Sequence, residues 1–191
     1  MKLKILNGDK KNFIQELTKF LVKRKDTQSK NLSIVKRIVN DVQSNGDKAI
    51  FKYEKKFSRL KKLNKIFTLS DREILKVIKK LNKETKKSID IAFNRIEKFH
   101  KKQLFKSFKI RDKYQNEMSY RYTPIESVGV YVPGGRANYP SSVLMNCIPA
   151  KVAGVKKIFM TTPLNETIPN PAVIYAAKKC GVKKIYKIGG A

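Results

Sequence analysis

The stretch Val128–Val155, V-G-V-Y-V-P-G-G-R-A-N-Y-P-S-S-V-L-M-N-C-I-P-A-K-V-A-G-V, constrains the fold more than any other part of the chain. Val128–Val132 is a β-branched and aromatic run that suits a buried strand. Pro133-Gly134-Gly135 ends it, because proline fixes one dihedral and glycines let the backbone turn sharply. A helix is predicted over Ser141–Ala153, with Pro140 in its first turn and Val143, Leu144, Cys147, Ile148 and Val152 on an apolar side. Pro149 should kink or break it, and Gly154 is a plausible stop. The rhythm then repeats. Ile158–Thr161 and Lys184–Ile188 are strand candidates, separated by a helix over Pro171–Cys180 that Gly181 ends. Strand, helix, strand, helix, strand at this spacing argues a parallel sheet with right-handed crossovers.

Upstream of Pro124 the period is helical. Apolar residues at helical spacing predict one helix over Asn12–Arg24 and a second over Leu32–Gln43, with Asn45-Gly46 as a stop. Asp47 can cap a third, carrying Ile50, Tyr53 and Phe57. Lys65–Leu69 reads as a short strand. Ser70-Asp71-Arg72-Glu73 is a capping box opening a helix through Leu81, and another runs from a break near Asn82 to about Leu104. Phe108–Asp112 and Met118–Tyr122 flank a polar Gln115-Asn116 turn and predict a hairpin, closed by Pro124.

Charge bounds the partners. Forty-four Lys and Arg against 15 Asp and Glu give +29 over 191 residues. Such a charge suits nucleic acid or an anionic membrane. Yet the lysines are spread from Lys2 to Lys187, which favours a solvated basic surface over a dedicated groove. No apolar run is long enough to span a bilayer, and the N-terminal M-K-L-K-I-L-N-G-D has no signal-peptide core, so a cytoplasmic protein is expected. Cys147 and Cys180 sit in apolar helical patterns and read as buried thiols. His100, the single histidine, reads as a helix-packing or helix-end residue, since a lone histidine makes no metal site.

Three quoted runs carry a resemblance to a known family. Y-V-P-G-G, Y-P-S-S-V-L-M-N and I-P-A-K-V-A-G-V resemble the signature of histidinol dehydrogenases. F-H-K-K-Q (Phe99–Gln103) and the spacing within V-K-R-I-V-N-D-V-Q-S-N-G-D-K-A-I-F-K-Y-E-K-K-F are similar to the same family. The resemblance implies an α/β fold in which a helical N-terminal segment and hairpin (1–124) lead into a βαβαβ start (125–191) of an incomplete Rossmann-like, NAD-binding parallel sheet. It implies an oxidoreductase that uses NAD and zinc to convert L-histidinol through histidinal to L-histidine, the last step of histidine biosynthesis, and works as a homodimer. It assigns Tyr131 to NAD contact, with Gly134 and Gly135 beside it. A strand-end aromatic that only packs is the alternative for Tyr131.

The family's zinc ligands and its glutamate–histidine acid–base pair find no counterpart here, because Glu166 is the one acid after Val128 and the one histidine lies in another segment. No catalytic or metal-binding residue is therefore expected in this chain, which reads as an N-terminal portion, inactive by itself. Ile188-Gly189-Gly190-Ala191 matches a family motif followed by an NAD-contacting glutamine, which this sequence lacks. The last strand is expected to leave its apolar face and edge open. Two alternatives remain: a basic α/β nucleic-acid-binding protein, and a piece with weak NAD affinity alone.

Overall fold

The computed structural model describes residues 6–57, 68–134, 139–163 and 170–189, with the side chains of 23–31 left aside. The chain divides into two compact units, Met1–Tyr53 and Glu54–Gly190.

In the first unit, α1 runs unbroken over Phe13–Asn45, where the sequence predicted two helices. The linking residues Lys25–Asn31 contain neither proline nor glycine, so nothing stops helical hydrogen bonding once it has begun. Gly46 does stop it, at φ 54°, with its N–H on the Val42 carbonyl. Helix α2, Asp47–Phe57, follows at once. Asp41 ties the two helices together, accepting from Asn45 Nδ2 at 2.7 Å, Lys52 Nζ at 2.8 Å and the Tyr53 hydroxyl at 2.7 Å.

After α2 the described chain resumes at Thr68 and Leu69; residues 65–67 of the predicted strand lie outside the described residues. Helix α3, Asp71–Ile78, begins at the predicted capping box, with both Ser70–Glu73 bonds formed. Helix α4, Lys83–Lys101, is capped by Asn82, whose side chain accepts from the Thr85 N–H at 2.7 Å. The hairpin pairs β1, Phe108–Arg111, with β2, Glu117–Tyr120, antiparallel. Its turn is held by Asp112, which accepts from the N–H groups of Tyr114 and Asn116, and Gln115 takes φ 68°. Every residue of both strands is exposed.

The sheet follows the predicted rhythm. β3 (Ser127–Tyr131), α5 (Pro140–Val152), β4 (Lys157–Thr161), α6 (Pro171–Cys180) and β5 (Lys184–Tyr186) give three parallel strands in the order β3-β4-β5. Helices α5 and α6 pack on each other, so both crossovers cover one face, and α4 packs against them. The core is Val130, Val132, Val143, Ile148, Met160, Ile174 and Ile185 with the small Ala176 and Ala177. Cys147 and Cys180 are buried free thiols as expected. They meet between α5 and α6, where the hydrogen bond that the Cys180 thiol donates to Cys147, together with burial, pushes Cys180 up.

Two local expectations differ from the outcome. The break allowed for at Pro149 does not form, and helix α5 continues to Val152. Proline withholds its own N–H and its ring crowds the carbonyl four residues back, but its own carbonyl still accepts, and the Ala153 N–H reaches it at 2.9 Å. Nor is β5 left open. Ile185 is 2% exposed, Thr68 bridges Tyr186 antiparallel, and the Leu69 N–H reaches the Ile185 carbonyl at 3.0 Å. Among the described residues no helix is long and apolar enough to cross a membrane.

Candidate functional site

The C-terminal ends of the three parallel strands lie side by side, and the turns that follow them converge. Tyr131 and Thr161 are register partners, as are Thr161 and Tyr186. The pairing runs one residue beyond the strands: the Val132 N–H reaches the Thr161 carbonyl at 2.9 Å and the Thr162 N–H reaches the Tyr186 carbonyl at 3.0 Å. The Thr161 hydroxyl donates to the Ile188 carbonyl, fastening the turn after β5 to the end of β4.

Strand alternation sets the direction of Tyr131. Val130 and Val132 are 6% and 1% exposed, while Tyr131 between them is 49% exposed. A Cβ on Gly189, at φ 154°, would lie 2.9 Å from Tyr131 Cε2 and 3.0 Å from Pro163 Cδ. A Cβ on Gly134 would overlap the Pro163 carbonyl oxygen. Both positions therefore need glycine: backbone, ring and proline come together where a side chain would fill the space. Gly135 lies outside the described residues.

Sequence reasoning missed Glu54 and Pro163. Glu54 Oε1 accepts from the Gly189 N–H at 3.2 Å, across a separation of 135 residues. Burial pushes the Glu54 carboxyl above the ordinary range, against the opposing pull of that hydrogen bond. No local pattern could reveal a carboxylate that meets its partner so far along the chain. Pro163 had a weaker signal, as a proline just after a strand.

His100 stands in the last turn of α4, as expected, with Nδ1 at 2.6 Å from Gln103 Oε1. The F-H-x-x-Q run is thus a helix-end arrangement, and Phe99 meets the imidazole edge-on at 5.3 Å. Among the described residues no three His, Cys, Asp or Glu side chains gather to hold a metal. The donor set does not fit zinc. What the strand ends offer is a half-exposed aromatic ring at the rim, with Gly134 and Gly189 packed closely against Pro163 beside it.

Fold and site together define an α/β protein with a three-stranded parallel sheet whose C-terminal strand ends carry the exposed Tyr131. A sequence profile described as histidinol dehydrogenase matches residues 21–191. The chain belongs to the histidinol dehydrogenase family, a family of oxidoreductases of histidine biosynthesis. Histidinol dehydrogenase of Pelagibacter ubique is 50% identical over 188 residues, covering 98% of this chain and 43% of that protein. That of Prochlorococcus marinus subsp. pastoris is 41% identical over 191 residues, covering 99% and 44%. The crystal structure of histidinol dehydrogenase from Elizabethkingia anophelis superposes with a TM-score of 0.74 at 36% identity, over 83% of this chain and 36% of that one. The chain thus spans less than half the length of the relatives it matches, and it aligns with their N-terminal part.

Proposed function

We propose that this chain supplies the N-terminal, cofactor-facing part of a zinc- and NAD-dependent histidinol dehydrogenase, which oxidises L-histidinol through histidinal to L-histidine. Residues 125–191 form the start of its NAD-binding domain. Tyr131 lays its ring against the dinucleotide, and Gly134 and Gly135 let the backbone approach it. The observation that carries this reading is the half-exposed Tyr131 ring at the end of β3, flanked by Gly189 and Pro163. Hydride acceptance is the chemistry that NAD supplies when bound. The working enzyme is a cytoplasmic homodimer whose zinc ligands and proton-transfer pair lie outside these 191 residues. This chain alone is inactive.

The test is calorimetric titration of NAD into the chain and into Tyr131→Ala. Loss of one stacking ring, worth about 1–3 kcal/mol, should weaken binding about fivefold or more. An unchanged dissociation constant in a folded variant overturns the cofactor role of Tyr131.

A second reading, nucleic-acid binding, draws on the hairpin. There Phe105, Phe108, Tyr120 and Tyr122 are exposed among Lys106, Lys109, Arg111 and Arg121. We place it second because the rings are engaged with one another: Phe105 and Tyr122 stack at 5.1 Å, and Phe108 and Tyr120 at 6.0 Å. Tight single-stranded RNA binding at physiological salt, lost with Tyr120→Ala, would reverse that order.

A further inference from the structure

We propose that Glu54 sets the charge selectivity of the C-terminal strand ends: its carboxylate occupies the Gly189 amide, so the ligand group seated there is a neutral hydrogen-bond donor and not a phosphate. The inference deepens the NAD reading and rests on it for the identity of the ligand.

The argument begins with the amide. In parallel α/β sheets, backbone N–H groups in glycine turns beyond the strand ends are the usual donors to phosphate. Gly189 follows β5 in such a turn, half-buried, with the Tyr131 ring and Pro163 packed against it. Its N–H is nevertheless already donated, to Glu54 Oε1 at 3.2 Å. A phosphate oxygen could take that amide only by displacing the carboxylate and then standing against its negative charge.

Among the described residues that charge has no cationic partner. In a chain of net charge +29, no lysine or arginine among the described residues forms an ion pair with Glu54. Burial and the Gly189 amide are the influences on its carboxyl. A carboxylate offers about four lone-pair positions, of which Gly189 uses one. The rest can accept from a hydroxyl or an amide N–H. A dinucleotide carries both kinds of group: an anionic pyrophosphate, and ribose hydroxyls and a carboxamide that donate. Glu54 thus admits the second kind at Gly189 and turns the first away, which fixes how a dinucleotide can lie across the strand ends.

The experiment is a titration of the full 191-residue chain, labelled with ¹⁵N, with inorganic pyrophosphate, read at the Gly189 amide resonance. Reading one amide separates this site from pyrophosphate held loosely by surface lysines. In the wild-type chain the Gly189 resonance should not respond. In Glu54→Ala, which frees the amide, it should shift saturably, with an apparent affinity at least about tenfold above any wild-type response. Glu54→Gln keeps a neutral acceptor and should fall between the two. An equal response in the wild-type chain and Glu54→Ala, or none in any of the three, overturns the proposal. The NAD reading is tested separately by Tyr131→Ala, so pyrophosphate gated by Glu54 in a chain that does not bind NAD would remove that reading and leave this one standing.

Discussion

Tyr175 on α6 donates its phenolic hydrogen to Asp90 Oδ1 on α4 at 2.7 Å, joining two helices whose contacting residues lie 85 positions apart. Lys179 Nζ adds an ion pair to the same oxygen at 2.6 Å, and Lys86 lies 5.4 Å from the Tyr175 ring centroid. The Lys179 hydrogen bond, then that of Tyr175, holds the Asp90 carboxyl below its usual range. Burial and Asp90 push the Tyr175 phenol up to about 12. A hydrogen bond to a charged acceptor contributes about 1.5–3 kcal/mol, so Tyr175→Phe should lower unfolding free energy by about 1.5 kcal/mol in urea. The raised phenol favours the folded state while protonated. That contribution is present below the ordinary tyrosine value of 10.0 and is lost as pH rises through about 12.

Glycine at the strand ends should prove costly to replace. A side chain at Gly134 would collide with the Pro163 carbonyl, and backbone cannot rotate away as a flexible side chain can. Gly134→Ala is expected to cost about 1–3 kcal/mol in denaturant unfolding. Gly189→Ala meets the Tyr131 ring at 2.9 Å as well as strain at φ 154°. It should shift the Tyr131 ring resonances, whereas Gly129→Ala, with nothing within 4 Å of its Cβ, should leave them in place.

Acid should loosen the junction between α1 and α2. Asp41 is held down to about 2 from 3.8, first by hydrogen bonds from Lys52, Tyr53 and Asn45. Its folded-state value lies below its unfolded one, so its contribution is fully present above about 3.8 and disappears as pH falls through about 2. Following the Lys52 and Tyr53 resonances from pH 5 to about 1.5 should show one step near 2, absent in Asp41→Asn. A step near the ordinary carboxylate value would show that the three donors do not hold Asp41 in solution.

Where a structural cause lies within a few residues, it was legible. The Ser70–Glu73 box and the span of α6, from Pro171 to Cys180 with Gly181 left-handed beyond it, are local chemistry and stand as read. The parallel sheet was legible too, because alternation between periods of two and 3.6 is a pattern spread over a whole segment. The break predicted between two helices in α1 failed because charged and polar residues without glycine or proline do not stop a helix. The closure of β5 by Thr68 and Leu69 and the capture of the Gly189 amide by Glu54 were invisible, since both depend on segments brought together by folding alone. At the candidate site, Tyr131 could be found from its place before Pro-Gly-Gly, but its neighbours Pro163 and Gly189 come from the turns after two other strands.

Made by itself, this chain should form no NADH with histidinol and carry no stoichiometric zinc. Tetrahedral zinc needs three or four clustered nitrogen, sulfur or carboxylate ligands. The described residues gather no such group, and the sequence holds a single histidine. That histidine is engaged with Gln103 at the end of α4. The two thiols that could bind a soft metal are buried against each other between α5 and α6, and no further ligand gathers beside them among the described residues. Proton transfer fares no better. Glu54, the acid at the strand ends, is occupied by the Gly189 amide, and the sequence's single histidine is engaged with Gln103 at the end of α4. Assaying NADH absorbance alongside metal analysis of the purified chain checks both claims. Turnover above background that survives chelation would show that an acid–base group within these 191 residues had been overlooked, and Glu54→Gln would be the first variant to examine.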